Sequence, residues 1–425
     1  MSEGSSACSH IIKTMNNGVK CAFLPNNGGL SAIGAVFSMG SKDAKDNGQM
    51  FLSMQAKLLD AIGSPQNAFK NGISTTLDVQ KEHSTILFEF MPESEKMARI
   101  FLDNFFSVAP PTPNSINFAR NILSSQEILG NIPPSKMFES VACASSCDDK
   151  TYSIDTFNNN PAALVIIPSL QTKLLSNSVF FGSLDQESSV SSFASAQRVV
   201  MEKKDYRPPK FVSGLLQKPA SGLKFSGTKL LKSPDLPKVS ISFPAPSLAQ
   251  SEFNAMKIIS KIFGGGSSFS SEGLGTGLNS LCYKHLLSKS PECEEVRTNY
   301  RVYSSFGLLS FDITAPSSEL EFLSGNLKKC CDSIGEIDES AIKAAKEQTI
   351  VEYLKSIDNS TSLFLDFASS IALSGKWNDP MSTIKNIREV TRNSVIEVAK
   401  SSFSNKPSVG ILGNADPSIV FQKWK

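Results

Sequence analysis

Apolar residues alternate at Ala35, Phe37 and Met39, recur with helical spacing from Phe51 to Ile62, and alternate again at Ile86, Phe88 and Phe90. A period of two marks a strand and a period of 3.6 an amphipathic helix, so the first half of the chain reads as strand, helix, strand. The second half repeats the order. Val239, Ile241 and Phe243 alternate, Ser247 and Gln250 stand at capping-box spacing, and a predicted helix then places Phe253, Met256, Ile259 and Phe263 on one face. Leu309, Phe311 and Ile313 alternate once more. A chain that repeats one plan in this way is constrained to two like domains. The expected class is α+β, with two similar domains, each a mixed β-sheet covered by helices, facing one another or a partner across a cavity. Residues 203–222, KKDYRPPKFVSGLLQKPASG, break both periods with Pro, Gly and charge, and read as a linker between a domain at 1–202 and another at 223–425. Further helices are expected at 318–334, 339–357 and 361–374, the last closed by Gly375 and, beyond Trp377, by Pro380.

Bulk properties exclude several partners. The 425 residues carry 42 Lys+Arg against 40 Asp+Glu, a formal charge of +2, so no global basic field recommends nucleic acid or an anionic membrane. No run approaches the roughly 20 apolar residues of a membrane span, and the densest, Ala162 to Ile167, is strand-sized. The eight cysteines lack the C-x-x-C spacing of a structural zinc site and read as reduced thiols. Cys143 and Cys147, four apart, read as two buried small residues rather than a metal or redox pair. The opening MSEGSSACSH fits neither a secretory signal nor a strong amphipathic presequence.

The most unusual stretch is KIFGGGSSFSSEGLGTGLNSLCY, residues 261–283. Three successive glycines lose much conformational freedom on ordering, so a mobile loop is expected at 264–277. Gly273, Gly275 and Gly277 let a partner's backbone approach without meeting a Cβ, and Phe269 alone adds a large apolar contact. No Lys-Ser or Lys-Thr follows the glycines, as a phosphate-cradling loop requires. The stretch also follows a helix rather than the strand of a dinucleotide site.

GGGSSFSSEGLGTGLNSLCY resembles the glycine-rich loop of the α subunits of mitochondrial processing peptidase, through Gly264 to Gly266, Phe269, Ser270, Gly273, Gly275, Gly277, Ser280 and Tyr283. YRVYSSFGLLSFDI, FASSIALSGKWNDP and VFSMGSKDAKDNGQ are similar to other parts of that family. The chain departs from the family pattern at Glu272, Leu274, Thr276 and Leu281. The resemblance implies a pitrilysin-type metallopeptidase fold and a noncatalytic, substrate-recognising role. It further implies pairing with a zinc-bearing β subunit, and capture of presequence peptides by Gly264, Gly265, Gly266, Ser267, Phe269, Glu272, Gly273, Gly275 and Gly277. Glu272 adds a negative charge suited to basic presequences. The compartment implied is the mitochondrial matrix or a related organelle such as a hydrogenosome. A core subunit of the cytochrome bc1 complex, which shares the fold, is the alternative, and an inert scaffold a third.

Catalytic members of the superfamily carry H-x-x-E-H, two histidine ligands and a glutamate base. Aligned through Gly48, those places hold Phe51, Met54 and Gln55, and a shift of one gives Met50, Ser53 and Met54. Phenylalanine offers no lone pair, a thioether suits hydrolytic zinc poorly, and glutamine is no base at neutral pH. The chain's histidines, His10, His83 and His285, never fall two to a helical turn, and each reads as a lone surface or core residue. Glu82 and His83 are adjacent on an expected strand or its approach and would face opposite sides. No G-x-S-x-G elbow accompanies the serine-rich SSVSSFASA. The expectation is therefore a chain without catalytic residues, metal or cofactor.

Overall fold

The computed structural model describes residues 10–25, 29–44, 47–107, 109–128, 134–148, 166–167, 178–197, 209–218, 236–267, 279–413 and 415–424. These form two compact units. Residues 1–131, 157–206 and 354–381 make the first, and residues 132–156, 207–353 and 382–425 the second.

The sheet of the first unit has the strands β1 (Ile11–Thr14), β2 (Lys20–Leu24), β3 (Ser31–Phe37), β4 (Ile73–Val79), β5 (Ser84–Phe90) and β6 (Ser178–Ser183). Their order is β1-β2-β6-β3-β5-β4, with β2 and β6 parallel and the other pairs antiparallel. Every residue of β3, SAIGAVF, is buried because both faces are covered. On one face Ile33, Ala35, Phe37, Ile86 and Phe88 pack in a core with Met50, Met54 and Leu58 of the helix Asn47–Ile62 and with Phe101 and Phe105 of the helix Glu95–Phe105. On the other, Ala32, Val36, Leu87 and Phe181 meet Phe364, Phe367, Ala368 and Ile371 of the helix Ser360–Ser374. That helix ends at Gly375, φ +72°, whose N–H bonds the Ile371 carbonyl.

The second sheet repeats the plan with β7 (Leu215–Lys218), β8 (Lys238–Ala245), β9 (Gly265–Ser267), β10 (Glu295–Val302), β11 (Gly307–Thr314) and β12 (Ser408–Leu412). The order is β7-β12-β8-β11-β10-β9, with β7 and β12 parallel and the rest antiparallel. Here the two faces differ, and the sequence alternates accordingly. Val239, Ile241, Phe243, Leu309, Phe311 and Ile313 enter an apolar core with Met256, Ile259 and Phe263 of the helix Phe253–Phe263 and with the helices Leu320–Asp332 and Glu339–Ser356. Ser240, Ser242, Ser310 and Asp312 are buried on the opposite face. The helix Pro134–Ser146 lies so close over β12 that a Cβ on Gly410 would stand 2.4 Å from Val141.

The α+β class and the two mixed sheets are thus the observed architecture, and the expected helices appear within a few residues of their predicted ends. Two local expectations change. Ser247 and Gln250 do join, the Ser247 N–H donating to Gln250 Oε1 at 2.7 Å, but they close a turn, and the helix begins only at Phe253. Inside the expected linker, Leu215–Lys218 is an edge strand paired with Val409–Leu412; residues 203–208 and 219–222 lie outside the described residues. Glu82 and His83 stand at the approach to β5, as expected, in the turn between β4 and β5, with Glu82 3.3 Å from Lys42 Nζ. Ala162 to residue 165 and Cys8 also lie outside the described residues. Among the described residues no helix is long and apolar enough to cross a membrane.

Candidate functional site

The helix Phe253–Phe263 delivers the chain to the glycine-rich segment. Its buried Ala255, Met256, Ile258, Ile259, Ile262 and Phe263 fix it on the second sheet, and it stops at Gly264. Gly264 adopts φ +55°, ψ −126°, and its N–H bonds the Ser260 carbonyl at 2.8 Å. A side chain there would be strained by the backbone and obstructed as well, since an added Cβ would lie 2.5 Å from Ser280 Cβ. Ser280 in turn caps the helix Leu281–His285, its hydroxyl accepting from the Tyr283 N–H. The two ends of the glycine-rich segment therefore touch.

Beyond Gly264 the chain is not a free loop at once. Gly265, Gly266 and Ser267 pair as β9 with Arg297, Val296 and Glu295 of β10, which corrects the expectation that the three glycines are uniformly mobile. The order comes from a rigid neighbour. Asp312 of β11, 1% exposed, accepts from Arg301 at 2.6 Å, Asn299 at 2.7 Å and Ser240 at 2.7 Å, so buried charge and cross-strand bonds lock β10 against β11 and β8. Of the nine residues named from sequence, Gly264, Gly265, Gly266 and Ser267 are placed here in succession. Phe269, Glu272, Gly273, Gly275 and Gly277 lie outside the described residues. A cavity of about 520 Å³ adjoins both ends of the segment, lined by Lys261, Ile262, Asn279, Ser280, Lys284 and Asp338 among others. Nothing in the sequence pointed to it, because its walls come from four separate elements.

Below the segment, Cys282, Cys293, Cys330 and Cys331 meet in the apolar core of the second unit. Burial pushes the Cys282 thiol up to about 12 and those of Cys293 and Cys330 up to about 11, with Cys331 also raised. Such thiols stay protonated near neutral pH and are poor nucleophiles there. Cys143 is buried, its sulfur 3.1 Å from the Tyr303 hydroxyl, which also donates to Glu139 at 2.8 Å; Cys147 is half-buried. The described cysteines all carry free thiols.

The places of the zinc motif fall on the helix Asn47–Ile62. Met54 is fully buried in the core, Phe51 and Gln55 are half-buried, and the Ser53 hydroxyl accepts from the Ile167 N–H at 3.0 Å. This donor set does not fit a hydrolytic zinc ion. Among the described residues no three His, Cys, Asp or Glu stand together as metal ligands. His10 lies edge-on to Trp377 at 5.4 Å, and burial lowers the His83 pKa while Asp78 and Glu82 oppose the shift. His285 ends the helix Leu281–His285, exposed.

The family described as Peptidase M16 inactive domain matches residues 191–349, which hold β7 to β11 and the glycine-rich segment. Mitochondrial-processing peptidase subunit alpha of Pongo abelii is 24% identical over 182 residues, 43% of this chain and 35% of that protein, and the Homo sapiens protein matches to the same extent. The Caenorhabditis elegans protein is 23% identical over 205 residues, 44% of this chain and 39% of its own length. These matches thus span little more than a third of the curated relatives. In three dimensions a chain of "Complex III2 from Candida albicans, Inz-5 bound" superposes with a TM-score of 0.77 at 17% identity, covering 97% of this chain and 99% of that one. The chain thus matches the Peptidase M16 inactive domain over residues 191–349 and is similar, at low identity and over part of its length, to mitochondrial-processing peptidase α subunits.

Proposed function

We propose that this chain is the noncatalytic, substrate-recognising α subunit of an organellar presequence-processing metallopeptidase. In this reading a zinc-bearing β subunit of like fold performs the cleavage, in the mitochondrial matrix or a related organelle such as a hydrogenosome. The observation that carries it is the meeting of the two ends of the glycine-rich segment, at Gly264, β9 and Ser280; the sequence between them has little side chain to set between its backbone and a ligand. Basic presequences are bound through Gly264 to Ser267, Phe269, Glu272, Gly273, Gly275 and Gly277. Phe51, Met54 and Gln55 leave catalysis to the partner.

The test is steady-state cleavage of a fluorescent presequence by the reconstituted pair, with residues 268–277 deleted so that the anchored end remains. KM is expected to rise more than kcat falls, because the segment binds substrate before and during the chemical step. An unchanged kcat/KM would reduce the glycines to a linker and end this reading.

The likeness to a chain of Complex III2 over nearly the whole length favours a second reading, a core structural subunit of the cytochrome bc1 complex. Purification of the native assembly separates the two. Haem absorbance co-purifying with the chain supports the second, and a peptidase-like companion of similar mass without haem supports the first.

A further inference from the structure

Beyond the end of β8 the second unit opens a cavity of about 550 Å³, walled by Pro244 and Pro246, by the turn through Gln250 and Glu252, and by the helix Arg392–Phe403. Packing behind the walls holds them in place. Phe403 stands edge-on to Phe243 at 5.1 Å and to Phe263 at 5.4 Å, which fixes its helix against β8 and the helix Phe253–Phe263, and the Tyr300 hydroxyl donates to the Pro246 carbonyl. The cavity is therefore a preformed part of the unit, and its volume is that of a small-molecule site.

The polar groups it presents are nearly all acceptors. Among the described residues the charged side chains of the lining are Glu252 and Glu397, without a Lys, Arg or His beside them, and neither carboxylate enters an ion pair. Glu252 accepts from the Ser251 hydroxyl at 3.0 Å, and its remaining lone pairs are open. Asn405 turns its amide N–H groups back to the Ser401 and Ser402 carbonyls, at 2.7 and 3.3 Å, which leaves its Oδ1 as an unpaired acceptor. One donor stands among these groups, Gln250 Nε2, whose Oε1 is engaged by the Ser247 N–H. Ser402 lines the wall although it is only 5% exposed, and among the described residues its hydroxyl has no hydrogen-bond partner. A hydroxyl so deeply placed normally finds one, so this one points to something that the cavity receives.

We propose that this cavity binds an organic cation rich in N–H donors, an amine or a guanidinium, which Glu252 and Glu397 neutralise and to which the Ser402 hydroxyl adds a hydrogen bond. An anion would be repelled by both carboxylates. A bare divalent ion fits poorly as well, because calcium requires roughly six to eight converging oxygen ligands, and among the described residues no three His, Cys, Asp or Glu stand together. An ammonium group offers three donors and a guanidinium five, which suits walls made of acceptors. Two sources carry this chemistry, a free polyamine and a basic side chain of another protein. The inference does not depend on the recognition role, since the cavity lies apart from the glycine-rich segment in its lining residues.

The experiment is calorimetric titration of the full chain with spermidine, and in a second arm with a short peptide carrying two arginines, both at constant ionic strength. Glu252→Gln and Glu397→Gln remove the charges at exposed positions while keeping the shape of the side chain, and Ser402→Ala removes the buried hydroxyl. We expect binding roughly 3-fold weaker for each glutamine variant and about 10-fold weaker for the two together, as befits partly exposed ion pairs. Ser402→Ala should cost roughly 2- to 10-fold, the loss of one hydrogen bond. Magnesium at matched ionic strength should not displace the ligand. Spermidine binding with this dependence assigns the cavity to a free amine, and peptide binding with the same dependence assigns it to a protein side chain. No binding of either probe, equal affinity for wild type and the double glutamine variant, or displacement by magnesium would overturn the proposal. If Ser402→Ala melts early, the double glutamine variant decides alone.

Discussion

Gly264 couples the end of one helix to the start of the next through a single missing methyl group. Its φ of +55° and the 2.5 Å approach to Ser280 Cβ both exclude a side chain. Gly264→Ala should therefore destabilise the chain by about 1 to 3 kcal/mol from the backbone alone, with further loss from displacement of Ser280. Urea unfolding of variant and wild type checks this; equal midpoints would show that the conformation is not enforced. The sequence announced a glycine-rich segment but could not rank its glycines. Gly264, Gly265 and Gly266 look alike in a row, and only the position of Ser280, sixteen residues on, and of β10 distinguishes the strained residue from the two that form a strand. The places of the zinc motif were legible outright, because their chemistry depends on residue type and not on contacts.

Elements with one apolar and one polar face were the most legible. β8, β11 and the helix Phe253–Phe263 follow clean periods because each has an apolar and a polar side. β2 and β6 escaped notice, since each is a short run whose apolar residues, Cys21 to Leu24 and Val179 to Phe181, are contiguous and offer no alternation to count. β7 was read as linker, being four residues whose strand character depends on β12 nearly 200 residues away. The larger omission is where two helices belong. Pro134–Ser146 comes from the first half of the sequence but packs in the second unit, and Ser360–Ser374 comes from the second half but covers a face of the first sheet. Amphipathicity announces a helix without naming its partner sheet. Fragments 1–208 and 209–425 produced separately should therefore misfold, the first exposing Val36, Leu87 and Phe181 and binding a hydrophobic dye, whereas co-expression should restore soluble material. Two soluble, cooperatively melting fragments that bind no dye would contradict this packing.

At the scale of the whole molecule, buried thiols tie stability to pH. Cys21 and Cys282 are pushed up to about 12, and Cys293 and Cys330 up to about 11, from an ordinary thiol value of 9.0, in each case chiefly by burial. A raised folded value means that, between 9 and 12, the native chain holds protons that the unfolded chain releases. The stabilisation is complete below about pH 9 and is lost as pH climbs through the folded values. Each thiol adds a slope of about 1.4 kcal/mol per pH unit within its window. Three of these four cysteines share the core of the second unit with Cys331, so the loss concentrates in the unit that carries the glycine-rich segment. Chemical denaturation between pH 8 and pH 10.5 should show little thiol-linked change up to about pH 9 and a steep decline above it. Cys282→Ala should lower stability at pH 8 by opening a small cavity, yet flatten the alkaline decline by nearly one proton's worth of slope. Equal slopes for wild type and Cys282→Ala would mean that this thiol ionises as readily folded as unfolded, and that its surroundings are wetter than the packing of Cys282 against the core implies.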